Sequence, residues 1–241
     1  MGLPFFLHSQ QNILSLLMIR QERPYIDFHT HKAVHHGEDD VMEIISMHQQ
    51  IKNETDWLTL GYHPWWLHEV LTKEALDELS IALSNHPRCL ALGECGLDGL
   101  KGAAREIQEQ NFEAQLTIAK ALRLPVIIHC VRQFDRLLQI RKQWRDTKWV
   151  IHGYRRNVIL TRQLLDEGIG VSVSPFPGMN ASFTDMLHFL PMDSFYLETD
   201  SDHRVDIRGR YALMAELRKI DIFALRWQMY QNCSDLFQWK Q

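Results

Sequence analysis

Tyr25-Ile26-Asp27-Phe28-His29-Thr30-His31 is the stretch from which the architecture of this chain can be read. Its apolar start reads as a short buried strand, and side chains two apart on a strand point to one face. His29 and His31 therefore project together from the strand's C-terminal end, a pair of imidazole donors suited to one metal ion. Taken alone, a His-x-His also fits a surface pair beside a turn. The rest of the chain decides between the two.

Beyond His31 the chain alternates strands with helices. Further strands read at Met42–Met47, Trp57–Tyr62, Cys89–Glu94, Val126–Cys130, Trp149–His152, Ile169–Ser174 and Phe195–Glu198. Most are short runs of Val, Ile, Leu and aromatics, as strands covered on both faces should be. Helices fit Thr72–Asn85, Ala103–Arg123, Gln133–Arg145, Val158–Glu167, Ala181–Phe189, Ile207–Lys219 and Phe223–Phe237. In the second of these, Ile107, Phe112, Leu116, Ala119 and Leu122 form an apolar stripe, with Glu106, Glu109, Glu113 and Lys120 off it.

Strands and helices in this order predict an α/β fold, a TIM-type (β/α)8 barrel. The first two crossovers, Lys32–Val41 and His48–Asp56, have little room for full helices, so the barrel is expected to start irregularly. The chain has 241 residues, close to the roughly 250 that one such barrel occupies. With no internal repeat or charge-rich linker, residues 25–241 read as one barrel domain. Residues 1–24 read as a weakly structured or helical extension. Its apolar run is interrupted by polar residues and lacks a basic start, which argues against a signal peptide or membrane span.

A net charge of −4 argues against a protein that coats nucleic acid through general basicity. It leaves room for an enzyme that meets a phosphate in one local basic cleft. The four cysteines, Cys89, Cys95, Cys130 and Cys233, form no Cys-x-x-Cys pair and read as reduced thiols, which suits the cytoplasm. No obligate protein partner is implied.

Candidate ligands fall at the strand ends. His29 and His31 close the first strand, His63 follows the third, Glu94 ends the fourth and His129 lies at the end of the fifth. His152 ends the sixth and Asp200 follows the eighth. A barrel gathers all strand C-termini on one face. Each histidine singly also fits a core imidazole bonded to backbone. Burying the whole set without a cation would cost several kcal/mol in desolvation, and a divalent metal removes that cost.

The motifs Asp27-Phe28-His29-Thr30-His31, Gly61-Tyr62-His63-Pro64 and Ala91-Leu92-Gly93-Glu94-Cys95-Gly96-Leu97-Asp98 resemble successive signatures of the TatD-type metal-dependent hydrolases. So do Leu124-Pro125-Val126-Ile127-Ile128-His129, Ile151-His152-Gly153-Tyr154 and Leu197-Glu198-Thr199-Asp200-Ser201. The resemblance implies a TIM-type barrel, one to three divalent ions (Zn, Mg or Mn) and hydrolysis of phosphodiester bonds, usually as a deoxyribonuclease. Carried over position by position, it implies His29, His31, Glu94, His129, His152 and Asp200 as ligands. Glu94 would be shared between two ions, one held by His29, His31 and Asp200 and the other by His129 and His152. Glu94 and Asp200 would be the catalytic carboxylates, with Asp200 orienting the attacking water. His63, at the rim, is expected to contact a substrate phosphate or support the ligands; packing against Pro64 is the structural alternative.

Three departures bear on the substrate, expected to be DNA with single-stranded or frayed ends or another phosphodiester. Val131 stands where the family commonly has Arg, and Arg132 comes one residue later. Gly153-Tyr154-Arg155-Arg156 replaces a small polar turn, adding two cations that suit phosphate contact or a solvated turn. The family's proline-rich loop after Thr-Asp-Ser is absent, leaving Arg204 and His203 as candidate replacements, although helix entry capped by Asp206 is the plainer reading. Trp65-Trp66 could stack on unpaired bases; packing over the barrel end is the alternative. A metal-dependent amide or lactone hydrolase is the rival activity, since such a site also polarises carbonyls. A metal-holding but non-catalytic barrel is the third reading.

Overall fold

In the computed structural model, which describes residues 23–35, 37–51, 56–202 and 204–239, the strands line up in chain order. They are β1 (Tyr25–Thr30), β2 (Val41–His48), β3 (Trp57–Gly61), β4 (Cys89–Asp98), β5 (Val126–Val131), β6 (Trp149–Ile151), β7 (Ile169–Val173) and β8 (Phe195–Leu197). Every neighbouring pair is parallel. The sheet comes round onto itself where Thr30 bridges to Asp200, just beyond β8. There the Asp200 N–H donates to the His29 carbonyl at 2.9 Å. The expected TIM-type barrel is present.

The helices are α1 (Lys73–Asn85), α2 (Arg105–Leu122), α3 (Phe134–Arg141), α4 (Val158–Asp166), α5 (Ala181–Phe189), α6 (Ile207–Arg218) and α7 (Ile222–Phe237). Side-chain oxygens of Thr72, Asn157, Asn180, Asp206 and Asp221 accept first-turn backbone N–H groups at five of these N-termini. Among the described residues the first two crossovers hold no helix, as their lengths dictate. Of the 1–24 extension, only Arg23 and Pro24 are among the described residues; the Arg23 carbonyl accepts from Arg226 Nε at 2.6 Å.

Ile26, Phe28, Ile44, Leu90, Ala91, Ile127, Val150 and Tyr196 form one apolar cluster drawn from β1, β2, β4, β5, β6 and β8, so it lies inside the barrel. Cys233 and Leu236 of α7 join it, and Phe28 stacks on Tyr196 with ring centroids 4.2 Å apart. The last helix thus stoppers the strands' N-terminal end and leaves the C-terminal end for polar groups. A larger apolar layer packs the outer strand faces against the helices.

Two elements differ from the sequence reading. β4 runs ten residues, past Glu94 to Asp98. Gly93 and Gly96 make this extension fit, because a Cβ at either position would lie 2.4 Å from the Ile127 carbonyl oxygen or 2.1 Å from that of His129. α3 stops at Arg141 instead of Arg145. The buried Arg141 guanidinium donates to the carbonyls of Trp144 (2.8 Å), Thr147 (2.6 Å) and Glu167 (3.0 Å), and so holds the chain in a turn.

Candidate metal centre

β1, β4, β5 and β6 bring His29, His31, Glu94, His129 and His152 to one mouth, and the β8 exit adds Asp200. The centre is Glu94, whose two oxygens meet different sets of groups. His29 Nε2 lies 3.3 Å and His31 Nε2 3.4 Å from Oε1, and Ser46 Oγ donates to the same oxygen at 2.9 Å. On the other side, His152 Nε2 is 2.7 Å and His63 Nε2 3.4 Å from Oε2. Asp200 Oδ1 closes the outer edge, 3.2 Å from His31 Nε2. Asp200 itself sits at φ +55°, a left-handed conformation that Asp tolerates better than most residues.

These spacings fit a cation. Two donors about 2.0–2.2 Å from one tetrahedral ion lie roughly 3.3–3.6 Å apart, which matches most of the separations around Glu94. His29 Nε2 and His152 Nε2 are buried with no aligned hydrogen-bond partner among the described residues. Orphaned imidazole nitrogens beside a carboxylate are costly unless something takes up their lone pairs. Among the described residues, three overlapping groups have donor atoms close enough to share an ion: His29–His31–Glu94, His29–His152–Asp200 and His63–Glu94–His129. This grouping differs from the expected division, because it joins His152 to His29 and Asp200 and separates it from His129.

The electrostatics follow from the crowding. Burial works to raise the Glu94 carboxyl, but His152 and His29 outweigh it and hold the group well below the usual range. Burial likewise opposes charge on His152, yet the Glu94 carboxylate lifts that imidazole to about 9. Asp200 is drawn down to about 2, chiefly by the His31 bond acting against burial. His129 goes the other way, to about 4, because it is buried beside other imidazoles. A neutral imidazole is the form that binds metal.

Four contributors escaped the sequence reading. Asp98 Oδ2 accepts from Trp65 Nε1 at 2.6 Å and lies 2.8 Å from His129 Nε2. Its parity with Glu94 on one strand was the available signal. Ser46 on β2 is the second. Glu198, fully buried, accepts the Gly153 N–H at 2.6 Å and the Ser172 hydroxyl, tying the β6 exit to β7 and β8. The fourth is a ladder of buried amides on α2. Gln115 Oε1 accepts the Tyr62 N–H at 2.8 Å while its Nε2 donates to the Tyr62 carbonyl at 3.1 Å. Asn111 grips Leu71 N and Glu69 O in the same manner, at 2.7 and 2.9 Å. Gln108 does so for Asp98 N and O, at 2.7 and 3.0 Å. These amides fasten the loop that carries His63 and Trp65 and the end of β4 at Asp98.

The expected substrate contacts are placed unequally. The His63 Nδ1 accepts the Trp65 backbone N–H at 3.1 Å, so its neutral form carries the proton on Nε2, facing Glu94. Arg155 lines a cavity together with His129, His152 and Asp200. Arg132, exposed and at φ +52°, instead lines a separate groove with Arg105, Arg136 and Gln139. Arg204 is 88 % exposed and paired with Asp202 at 2.8 Å. His203 lies outside the described residues, and Asp206 caps α6 as expected. Trp65 is held by Asp98 and packs edge-on against His63 and His129, while Trp66 is 50 % exposed.

A family model described as TatD-related DNase matches residues 32–238. A 3'-5' ssDNA/RNA exonuclease TatD from Salmonella typhimurium is 29 % identical over 154 residues, 61 % of this chain and 58 % of that protein. The same-named protein of Musicola paradisiaca is 32 % identical over 158 residues, 61 % of this chain and 57 % of its own length. The matched region thus spans less than two thirds of these relatives. Among solved structures, YJJV, a TatD homologue of Escherichia coli K12, superposes with a TM-score of 0.73 at 23 % identity, covering 89 % of this chain and 98 % of its own. A TatD family hydrolase from Entamoeba histolytica gives 0.72 at 17 % identity with the same coverage of both chains. An uncharacterized amidohydrolase from Saccharomyces cerevisiae gives 0.69 at 14 %, over 82 % of this chain and 89 % of its own. At these identities the structures show a shared fold.

Proposed function

Because this chain belongs to the TatD-related DNase family, we propose that it is a divalent-cation-dependent phosphodiesterase acting on single-stranded DNA or frayed DNA ends. The matched relatives named 3'-5' ssDNA/RNA exonuclease support that substrate class. The observation that carries the reading is the division of Glu94, with one oxygen facing His29 and His31 and the other facing His152 and His63. A carboxylate so placed can serve two cation positions at once.

His29, His31, Glu94, His152 and Asp200 would hold the ions. His129 would join through Nδ1, since its Nε2 is taken by Asp98. When bound, Zn²⁺, Mn²⁺ or Mg²⁺ supplies positive charge to phosphoryl oxygens and makes water acidic enough to attack. Asp200, ionised at neutrality, has Oδ1 turned to the ion position beside His31 Nε2 and leaves Oδ2 to accept a hydrogen bond from the attacking water and orient it. His63 steadies Glu94 by presenting its Nε2–H. Among the described residues no helix is long and apolar enough to cross a membrane, and all four cysteines are buried and free. A reducing cytoplasmic setting accords with those thiols.

The test uses chelator-stripped protein resupplied with Mg²⁺, Mn²⁺ or Zn²⁺, on end-labelled oligonucleotides and on an amide and lactone series. Metal-restored shortening of single strands, lost in both Glu94→Ala and Asp200→Ala, is the expected result. Turnover of amides or lactones with intact oligonucleotides would transfer the assignment to the rival activity.

A further inference from the structure

The cavity beside the candidate metal centre is lined by His129, His152 and Asp200 together with Arg155 and Arg156. Both guanidiniums rest on aromatic rings, Arg155 over Phe176 at 5.0 Å and Arg156 over Phe134 at 5.3 Å. A stacked guanidinium keeps its N–H edge available.

These cations are also uncommitted. Arg136, Arg145, Arg204 and Arg208 each have a carboxylate within ion-pair distance. Among the described residues, neither Arg155 nor Arg156 has one. Two adjacent, unpaired, planar cations at the mouth of a phosphodiesterase site form an oxyanion-binding arrangement. The cavity is small, about 190 Å³, below the roughly 300 Å³ at which pockets for drug-sized ligands begin. It therefore admits a phosphate and part of a sugar, while a nucleobase must remain outside.

Resting on the phosphodiesterase reading, we propose that Arg155 and Arg156 form an anion subsite for a second phosphate of the substrate, the one next to the bond that is cleaved. The chain then selects strands by backbone charge at that position, and a dinucleotide bearing an extra phosphate is a better substrate than one whose only phosphate is the scissile one. A terminal monoester and an internal diester share this chemistry, and the substrates below separate them.

The experiment compares TpT with pTpT, TpTp and TpTpT on metal-loaded wild type and on the Arg155→Gln/Arg156→Gln double variant. Charge-assisted contacts of this kind predict a preference of about tenfold or more in kcat/KM for at least one substrate with a second phosphate. The double variant should bring that ratio close to one. A preference confined to pTpT or TpTp marks a terminal monoester, and one shared with TpTpT an internal phosphate. A damaged fold would slow all substrates together and leave the ratio intact, so the ratio reports the subsite alone. A wild-type ratio near one, or a ratio retained in the double variant, overturns the proposal while leaving the phosphodiesterase reading standing. If wild type turns over none of these, that reading fails instead. Equilibrium binding to chelator-treated protein then decides the subsite. Tighter binding of an extra-phosphate dinucleotide than of TpT, lost in the double variant, upholds it, and equal binding overturns it.

Discussion

His129 Nε2 lies 2.8 Å from Asp98 Oδ2, and this contact determines what His129 can offer a cation. Burial works against charge on Asp98, but Trp65 and His129 donate to it and keep it ionised. A carboxylate at Nε2 fixes the proton there and leaves Nδ1 as the lone-pair donor. Carboxylates placed behind metal-binding histidines in this way hold ring and tautomer together.

Asp98→Asn should therefore weaken metal binding about 10–100-fold while the barrel stays folded. Competition with a chromophoric chelator measures the affinity, and circular dichroism checks the fold. Unchanged affinity would detach Asp98 from the centre.

The α2 amides give a second prediction. Gln115→Met keeps the length and bulk of the side chain but strips Tyr62 of both backbone partners. Each buried group left unsatisfied costs about 1–3 kcal/mol. Urea unfolding should show a lower midpoint at unchanged slope. An unmoved midpoint would mean that the β3 loop does not depend on this grip.

Much of this architecture could be read from the sequence because its strands are covered on both faces and its ligands sit at strand ends. Tyr25–Thr30 announces both features at once. What the sequence concealed had local causes. Asp98 lay beyond the expected end of β4, since nothing in a one-dimensional pattern says that Gly93 and Gly96 will let two strands approach closely enough to continue pairing. Gln108, Asn111 and Gln115 were invisible to a search for apolar stripes, although they lie on the buried side of α2 with Phe112 and Leu116. β1 also shifts register between Asp27 and Thr30, an irregularity that strand periodicity alone misses. Arg132 and Arg155 were both candidate substrate contacts, and only the fold separates them, because the direction in which a chain leaves its strand is not written in residue type.

Trp66 offers a test of strand recognition. It is half exposed and tilted over His48 at 4.2 Å, whereas Trp65 is committed to Asp98. Stacking of an unpaired base on an indole contributes about 1–3 kcal/mol. Trp66→Ala should raise KM for a single-stranded oligonucleotide about tenfold more than for bis(p-nitrophenyl) phosphate. An equal change for both would assign Trp66 to packing.

Acid should erase one surface network. Arg208 bonds to Glu38 and to Asp40 (2.7 Å), tying the loop after β1 to α6. Its bonds hold both carboxyls below their ordinary values. Depressed carboxyls contribute stability above the unfolded value of about 4 and lose it as pH falls through the folded one. Arg208→Met should therefore lower Tm at pH 7, and the gap to wild type should narrow steadily as pH falls below about 4. A gap that persists in acid would indicate lost packing instead of lost charge.

We propose above that residues from β1, β4, β5, β6 and the β8 exit together hold divalent cations through Glu94. Elemental analysis tests it most directly, on chelator-stripped wild type and Glu94→Ala after reloading with Zn²⁺ or Mn²⁺ and exhaustive dialysis. Wild type should retain at least one ion per chain and Glu94→Ala should retain markedly less. Wild type without metal, or equal occupancy in both proteins, would remove Glu94 as the shared ligand.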